Sequence, residues 1–219
     1  MNITQAIRER HSVRAYSVKK IEEEKRRKLD ALIEECNQES GLHIQIRYDD
    51  PSGFDSRLAH YGRFRNVANY IILAGIPSDD LQEKCGYYGE KLVLAAQMMG
   101  LNTCWTALTF NKANVKKIIP IIEKLVVVIA IGYGVNQGKA HKSKRLESVV
   151  ASKGKMPDWF RKGAEAALLA PTAMNQQKFK MGIHNGSPVI RAVGKRPYTK
   201  IDLGIVKYHF EIASGHKVK

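Results

Sequence analysis

The spacing of apolar and polar positions divides the chain into predicted helices and strands. Asn2 and Gln5 have the spacing of a capping box, which predicts a short helix over 3–9. Alternating apolar and polar residues over 42–46 predict a half-buried strand, and the β-branched run at 125–131 predicts a central strand covered on both faces. The remaining predictions are helices over 21–36, 87–99, 159–169 and 203–213, an inner strand over 69–74, a hairpin of 179–183 with 189–193, and a loop over 49–62.

Together these elements predict an α+β protein, with a central mixed or antiparallel sheet and helices packed around it. Gly89 and Gly100 lie eleven residues apart, as do Gly204 and Gly215, and each pair accompanies a predicted helix. A helix followed by a strand or hairpin precedes each pair. We therefore predict a single domain over 1–219 built from two half-motifs, about 1–150 and 151–219, related by a pseudo-twofold axis. Coincidental glycine spacing is the alternative.

Length and composition exclude several classes of protein. A chain of 219 residues with 44% hydrophobic residues can bury a substantial core, which excludes a disordered or fibrous protein. The formal net charge is +15, and residues 139–200 contain 14 basic but only three acidic residues. Such a positive field attracts phosphates, anionic substrates and nucleic acid alike, so the charge does not choose among these partners.

The same sequence predicts a cytoplasmic location. Residues 1–10 lack the apolar core of a signal peptide, and the longest apolar run, at 125–131, is too short to cross a bilayer. The three cysteines, Cys36, Cys85 and Cys104, form no CxxC pair, so we expect them to be reduced and buried.

The first candidate for chemistry is the segment Arg10-His11-Ser12-Val13-Arg14-Ala15-Tyr16. In an extended chain Arg10, Ser12 and Arg14 point to the same side, where two guanidinium groups and a hydroxyl could clamp a phosphate. By spacing alone, a solvated strand edge is about equally compatible with these residues.

Three further segments are candidates. Lys142-Ser143-Lys144 is a basic element that, taken alone, is also typical of an exposed loop. Small and neutral polar residues over 170–177 suit a flat heteroaromatic ligand, although a polar loop is the commoner meaning. In the segment 101–108, Trp105 is either a packing residue or part of a ligand-facing backbone.

Motifs for covalent or metal catalysis are missing from the sequence. It contains no GxSxG, P-loop or HExxH pattern, and its seven histidines are not spaced like metal ligands. We therefore expect no bound metal and no nucleophilic side chain.

Taken together, the four segments resemble the FMN-dependent nitroreductase family, and the resemblance covers nearly the whole chain. Residues 10–16 look like its amino-terminal phosphate and ribityl motif, and 100–108 look like its helix end and flavin-facing loop. Lys142-Ser143-Lys144 is similar to the basic element that closes on the FMN phosphate. Residues 170–177 are similar to the proline-small-small-x-Asn-x-Gln motif that reaches the isoalloxazine ring.

The order of these motifs departs from ordinary members of the family. There the proline-asparagine motif follows the Arg-Ser-Arg motif closely and reaches the partner's flavin across a homodimer. Here residues 36–40 are degenerate at that position, the motif stands near residue 170, and the second half has no good copy of residues 10–14. The chain thus resembles a duplicated subgroup with one composite FMN site. This implies a monomer that imitates a dimer, or a homodimer.

The resemblance also implies roles for individual residues on the phosphate side. Arg10, Lys142 and Lys144 would pair with the FMN phosphate, and His11 and Ser12 would reach the phosphate or the ribityl hydroxyls. Arg14 would lie at the pyrimidine side of the ring, where a cation favours the anionic reduced flavin.

On the ring side, the resemblance implies contacts that come from two segments. Backbone groups of Thr106, Ala107 and Leu108 would lie near N5 and O4 of the flavin, and Pro171, Thr172, Ala173 and Asn175 would come from the other half. Ala107 stands where an acidic residue is usual. In the loop that often supplies an additional Asn and Lys, near 60–65, only Arg63 is a tolerable substitute. No side chain need act as acid or base.

The resemblance implies an oxidoreductase that takes a hydride from NADH or NADPH and passes electrons to a nitroaromatic, quinone or similar acceptor. A specialised metabolite is the alternative acceptor. Two other functions stay open: a flavin-binding protein without efficient turnover, and a basic nucleic-acid-binding protein, which rests on the net charge alone.

Overall fold

The structure is a computed structural model that describes residues 1–151, 156–194 and 197–219, so parts of the basic stretch over 139–200 lie outside the described residues. Its helices are α1 (Ile3–Glu9), α2 (Glu23–Ser40), α3 (Arg57–Tyr61), α4 (Leu81–Met98), α5 (Lys112–Lys116), α6 (Leu146–Val149), α7 (Asp158–Leu168) and α8 (Thr199–Ser214). Its strands are β1 (His43–Arg47), β2 (Tyr70–Gly75), β3 (Asn102–Thr106), β4 (Lys124–Gly132), β5 (Phe179–His184) and β6 (Ser187–Ala192). Short 3₁₀ turns cover Pro51–Gly53 and Ala173–Asn175.

Both sheets are antiparallel. The larger one has the strand order β1-β2-β4-β3, and its inner strand β2 is buried along its whole length. The smaller one is the hairpin of β5 and β6, whose two-residue turn contains Asn185 and Gly186 at positive φ. Those backbone angles fit the right-handed twist of a tight hairpin. The predicted α+β fold with an antiparallel central sheet is confirmed, including the central position of β4.

The described residues form two compact units. The first, here called the sheet unit, comprises Arg10–Leu81 and Leu92–Lys139. The second, here called the hairpin unit, comprises Met1–Glu9, Gln82–Lys91 and Ala140–Lys219. The long helix α4 contributes residues to both. Sequence reasoning divided the chain near residue 150, whereas the hairpin unit also includes α1 and part of α4.

The core of the sheet unit is rich in aromatic residues. Phe54 lies against Phe64 and Tyr70, with ring centroids 4.9 and 5.8 Å apart. All three side chains are buried in a cluster that includes Tyr16 and Cys104. This cluster covers the face of β4 that carries Val128 and Ala130, so the apolar residues of that face are buried.

In the hairpin unit, α7 and α8 pack closely. A Cβ on Gly163 would lie only 2.7 Å from the ring of Phe210, so the absence of a side chain lets these helices approach. His209 is fully buried; its Nδ1 donates to the carbonyl of Ala166 at 3.1 Å, and its Nε2 lies 2.8 Å from the carboxylate of Glu90. Burial of this polar pair is tolerated because each group has a hydrogen-bond partner.

Several element boundaries differ from those expected. Helix α4 begins at Leu81, six residues earlier than predicted, and α8 begins at Thr199, four residues earlier. Sequence reasoning set the start of α4 after Gly86, but this glycine lies inside the helix because another backbone packs against it. Tertiary packing therefore outweighs the low helix propensity of glycine at this position.

Three short helices, α3, α5 and α6, and one strand, β3, were also missed. The predicted loop over 49–62 contains α3, which forms because the side chain of Ser56 caps the amide of Ala59. Strand β3 occupies a segment that we expected to be a loop, and it pairs with β4 along its whole length. Helix α5 follows it, capped by Asn111.

The glycines of the predicted repeat divide into two kinds. Gly100 and Gly215 follow helix ends with φ of +76° and +71°, the left-handed conformation that glycine favours. Gly89 and Gly204 instead lie inside α4 and α8. The internal duplication itself stays a prediction.

The three cysteines are placed as the sequence predicts. Cys36, Cys85 and Cys104 are buried and free of disulfides. Burial raises the pKa of the Cys85 thiol to about 12. Within the described part of the chain, no helix has the length and apolarity needed to cross a membrane.

Candidate functional site

The segment 10–16 is an extended strand whose backbone is held by its neighbours. Ser12 bridges to Thr103 of β3, and the amide of Val13 donates to the carbonyl of Thr103 at 3.0 Å. Further along, the amide of Tyr16 donates to the carbonyl of Arg65 at 3.1 Å. A strand held on both sides presents its side chains in a defined direction, as a binding site requires.

Arg10, Ser12 and Arg14 all influence the pKa of the buried Cys104 thiol. Burial raises the pKa of this thiol, while the charge of Arg14, a hydrogen bond with Ser12 and the charge of Arg10 act in the opposite direction. Arg10 is itself buried, with 3% exposure, whereas Arg14 is exposed. The structure therefore brings together the three residues that the spacing assigned to one side of the strand.

Gly138 lies close to the same segment and contacts its backbone. Gly138 has φ of +70°, and a Cβ there would lie 2.8 Å from Cβ of His11 and 2.9 Å from the carbonyl oxygen of Ser12. The ring of His11 lies beside the same loop, with Nδ1 3.2 Å from the carbonyl oxygen of Gln137. Only glycine meets both the backbone and the steric requirement at this position.

The loop after β3 is closed by its own threonines. The hydroxyl of Thr106 accepts from the amide of Thr109 at 3.1 Å and lies 2.7 Å from the Thr109 hydroxyl. Ala107 and Leu108 stand between them, and Leu108 is 67% exposed. The turn therefore holds the backbone of these two residues in place while leaving it close to solvent.

The segment near 60–65 lies beside a cavity of about 380 Å³ within the sheet unit. Phe54 and Phe64 contribute buried aromatic walls, and the guanidinium carbon of Arg14 lies 6.0 Å from the centroid of Phe64. Arg63 is exposed and has φ of +62°, an uncommon conformation for a residue other than glycine. The remaining lining residues are Pro51, Asp55, His60, Arg65, Asn66 and Val67.

In the hairpin unit, the loop that follows α7 contains Pro171, Thr172 and Ala173, all partly buried, and an unusual backbone after them. Met174, Asn175 and Gln177 have φ of 52°, 52° and 44°. Three such residues within four positions indicate a strained loop, which folded proteins retain where the surroundings hold it.

Hydrogen bonds join this loop to the segment 142–144. The side chain of Asn175 donates to the carbonyl of Lys142 at 2.9 Å. Gln177, which is 2% exposed, donates to the same carbonyl at 2.9 Å and to Oδ1 of Asn175 at 2.7 Å, and it accepts from the amide of Lys144 at 2.8 Å. The amide of Gln177 therefore connects the two segments that the sequence analysis proposed as ligand-binding elements.

The two lysines of this segment are arranged differently. Lys142 is exposed. The ammonium group of Lys144 donates to the carbonyls of Gln176 and Gln177 at 2.8 and 2.9 Å. Because an ammonium group has three donors, Lys144 keeps one for an anion while its position is set by the loop.

A buried carboxylate supports the loop from α8. Asp202 accepts hydrogen bonds from the amide of Ala173 at 2.8 Å and from the side chain of Gln176 at 3.3 Å. Burial raises the pKa of Asp202 to about 6, although both hydrogen bonds favour the ionised form. Asp202 lies in the first turn of α8, where the positive end of the helix dipole also stabilises the ionised carboxylate.

The predicted site residues thus form two groups, each organised within its own unit. Arg10, Ser12 and Arg14 lie together in the sheet unit, and Lys142, Lys144 and Asn175 are connected in the hairpin unit. Sequence reasoning missed two supporting residues, Gln177 and Asp202. The available signals were the last position of the Asn-x-Gln pattern and an acidic residue in the first turn of a helix.

The α+β fold with its antiparallel sheet is that of nitroreductase-fold proteins. Residues 2–214 match the family described as "Putative TM nitroreductase", and the chain belongs to that family. A search of curated proteins found no match. The expected family membership is therefore confirmed.

Solved structures support the same fold. A putative nitroreductase from Thermotoga maritima is 25% identical with a TM-score of 0.71, and the alignment covers 97% of this chain and 83% of that one. A putative nitroreductase in complex with FMN from Desulfovibrio desulfuricans is 17% identical with a TM-score of 0.54, covering 71% and 99%. A putative NADH oxidase from Clostridium acetobutylicum is 21% identical with a TM-score of 0.52, covering 68% and 99%.

Proposed function

We propose that the protein is an FMN-dependent oxidoreductase of the cytoplasm that takes a hydride from NADH or NADPH and reduces a nitroaromatic, quinone or similar acceptor. The observation that carries this proposal is that the segment holding Arg10, Ser12 and Arg14 is extended and fixed by backbone contacts with Thr103 of β3 and with Arg65. Membership of the nitroreductase family and the FMN complex of a structural neighbour support it.

The chemistry of the residues present fits FMN. The guanidinium group of Arg10 and the hydroxyl of Ser12 suit a phosphate dianion, since charge-assisted hydrogen bonds to phosphate are among the strongest in proteins. The loop 171–177 offers neutral amides and small side chains, which suit a flat ring with carbonyls and ring nitrogens. The cavity beside Phe64 adds apolar surface to the sheet unit.

In this proposal each residue has a defined task. Arg10, Lys142 and Lys144 bind the phosphate, while His11 and Ser12 bind the phosphate or the ribityl hydroxyls. Arg14 places a positive charge at the pyrimidine side. The backbone of Thr106, Ala107 and Leu108 lies at N5 and O4, and Pro171, Thr172, Ala173 and Asn175 complete the ring site.

The protein's residues hold the cofactor in position and keep water away from it; they do not themselves transfer the electrons. Bound FMN supplies the chemistry of accepting a hydride and passing two electrons on. The turn closed by Thr106 and Thr109 keeps the backbone in a fixed orientation, so little reorganisation is needed when charge develops. The exposed Leu108 is consistent with a ring face that a nicotinamide and an acceptor can reach in turn.

The first experiment is the absorption spectrum of the purified protein between about 300 and 550 nm, the range of oxidised flavins, before and after adding FMN. NADH and NADPH are then added separately under anaerobic conditions. Flavin bands that bleach with either nucleotide establish a flavoenzyme that a nicotinamide donor reduces, and the question then becomes its acceptor. Bands that do not bleach favour a flavin-binding protein without turnover, and failure to bind excess FMN contradicts the proposal.

Two substitutions test the assignment of residues. Arg10→Ala should weaken FMN binding about tenfold or more, because it removes a charged phosphate contact, while the exposed Arg8→Ala should not. Asn175→Ala should change the flavin affinity or potential. If both the Arg10 and the Asn175 variants bind FMN as tightly as the natural protein, and the flavin potential is unchanged, the proposed set of ligands is wrong.

A further inference from the structure

Two isoleucines project from the turn between α5 and β4. The amide of Glu123 donates to the carbonyl of Pro120 at 3.0 Å, which places Ile121 and Ile122 at the centre of a tight turn. Ile121 is fully exposed and Ile122 is 68% exposed. The preceding Ile118 and Ile119 pack against the core of the sheet unit. The turn is therefore anchored by one apolar pair and presents a second pair to solvent.

Four lysines accompany this apolar pair. Lys112, Lys116, Lys117 and Lys124 are exposed, and none of them forms an ion pair with a residue that the structure describes. Val115 is fully buried and anchors α5, whose polar side carries Lys112 and Lys116. Glu123, the one acidic residue between 112 and 124, lies 2.8 Å from the ring of His43. Residues 112–124 are here called the Lys-Ile surface.

We propose that the Lys-Ile surface binds a lipid bilayer that contains anionic phospholipids. Ammonium groups near such a bilayer are attracted to its negative surface potential, and apolar side chains between them can enter the interfacial region. Two branched aliphatic side chains at the apex of a turn have the shape for this contact. A protein partner would instead need a pocket complementary to a projecting apex.

Charge and side-chain type favour a bilayer over other occupants. A second copy of this surface would bring eight lysine ammonium groups together, and their repulsion opposes association. Single-stranded nucleic acid binds through aromatic side chains on which bases stack, and residues 112–124 contain none. Phospholipid headgroups and acyl chains match both the lysines and the isoleucines.

The Lys-Ile surface lies at the same end of the sheet as the loop of Ala107 and Leu108. β3 ends at Thr106, which pairs with Val128, whereas β4 begins four residues earlier at Lys124. At about 3.3 Å per residue, the turn extends roughly 13 Å further along the strand direction. If the proposed flavin function holds, an acceptor dissolved in the bilayer would approach this end; bilayer binding itself does not depend on FMN.

Vesicle flotation with the full-length protein tests this proposal. We expect binding to vesicles of phosphatidylcholine with phosphatidylglycerol, little binding to phosphatidylcholine alone, and loss of binding at high salt. Lys116→Gln with Lys117→Gln should lower the partition coefficient about thirtyfold, because each lysine near an anionic bilayer contributes about a fivefold gain in binding. Ile121→Ser with Ile122→Ser should lower it at least about tenfold.

The chain offers matched controls at Val18, Lys19 and Lys20. Val18 is 90% exposed beside two lysines, but Lys19 and Lys20 lie 2.7 and 3.7 Å from the carboxylates of Glu22 and Asp49. Val18→Ser and the pair Lys19→Gln with Lys20→Gln should leave vesicle binding nearly unchanged. The second control removes the same charge from another surface, so it separates local binding from the effect of net charge.

Three results would overturn the proposal. One is equal loss of binding in the two lysine pairs, which would indicate a nonspecific charge effect. Another is unchanged binding after substitution of both isoleucines. The third is a concentration-dependent dimer that these substitutions dissociate. The flavin spectrum of each variant is recorded in parallel, so loss of flavin and loss of vesicle binding are distinguished.

Discussion

Gly86 of α4 and Gly204 of α8 occupy reciprocal positions against each other's helix. A Cβ on Gly86 would strike the carbonyl oxygen of Ile201 and approach the amide of Ile205, whereas a Cβ on Gly204 would strike the carbonyl oxygen of Glu83 and approach the amide of Tyr87. A Cβ on either glycine would therefore meet two residues of the other helix. One lies three positions before the facing glycine, and the other lies immediately after it. Reciprocal contacts of this kind characterise twofold interfaces, and here they pair Gly204 with Gly86, whereas the sequence paired it with Gly89; the pseudo-twofold arrangement itself stays a prediction.

Gly86→Ala and Gly204→Ala should destabilise the protein to a similar extent. In both variants the new methyl group meets backbone atoms that cannot rotate away, so the helices must separate. We expect each change to lower the free energy of unfolding by about 2 kcal/mol or more, measured by urea denaturation. Gly182→Ala is the control, because its Cβ would meet only Cβ of Ala151, at 3.9 Å. A large difference between the two helical variants would contradict the reciprocal contact.

Asp202→Asn should change how stability depends on pH. The pKa of Asp202 rises from 3.8 to about 6 on folding, so between these values the folded chain holds a proton that the unfolded chain has lost. Stability from this group therefore falls as the pH rises from about 4 to 6 and is constant outside that window.

The asparagine variant lacks this titration and still accepts from the amide of Ala173. We expect it to match the natural protein near pH 4 and to be more stable above pH 6, by up to about 3 kcal/mol. Thermal denaturation across this pH range measures the difference. Asp158→Asn, at an exposed position in the first turn of α7, is the control. Parallel pH profiles for the Asp202 variant and the natural protein would disprove the raised pKa.

Gln177→Ala should release the segment 142–144 from the loop of the hairpin unit. It leaves the amide of Lys144 without its acceptor and Oδ1 of Asn175 without the donor from Gln177, which we expect to cost about 2–3 kcal/mol. Hydrogen exchange should show faster exchange at the amide of Lys144. Gln38→Ala, which removes an exposed amide bonded to Glu34, should have little effect. An unchanged exchange rate at Lys144 would mean that Gln177 does not hold this segment.

Arg14→Ala should make the flavin harder to reduce. If the guanidinium lies at the pyrimidine side, its removal destabilises the anionic reduced form and shifts the midpoint potential in the negative direction by about 30 mV, equivalent to a tenfold change for two electrons. Spectroelectrochemical titration of the FMN-loaded protein measures this shift. Arg8→Ala, on the exposed side of α1, is the matched control. A shift of equal size in both variants would point to net charge and not to the position of Arg14.

The sequence predicts the elements whose local signals are strong. The capping residues Asn2 and Gln5 define α1, and the amide of Gln5 indeed donates to the side chain of Asn2 at 2.9 Å. The β-branched run at 125–131 predicts β4 because a strand buried on both faces has no polar alternation. The Arg-Ser-Arg spacing predicts side chains on one side of an extended segment, and the structure shows this segment extended and paired with Thr103.

Other features depend on contacts that are distant in sequence. Strand β3 has no distinct local signal, since its ladder depends on pairing with β4 more than twenty residues later. The early start of α4 depends on the backbone of α8, which lies against Gly86. The burial of Gln177 and Asp202 arises because segments about thirty residues apart meet there, so the Asn-x-Gln pattern and the acidic first turn of α8 did not by themselves reveal which contacts these residues make.

The amino-acid sequence by itself determined the α+β class, the central strand, the nitroreductase resemblance and the polar residues that could bind a phosphate. The class and the central strand follow from periodicity, the phosphate-binding candidates follow from residue chemistry over short stretches of chain, and the family resemblance rests on four short motifs. Only the tertiary structure decided which residues support the proposed site, where α4 and α8 meet, and which lysines of residues 112–124 form no ion pair with the described part of the chain. Those properties depend on burial and on hydrogen bonds between distant segments, which local patterns do not specify.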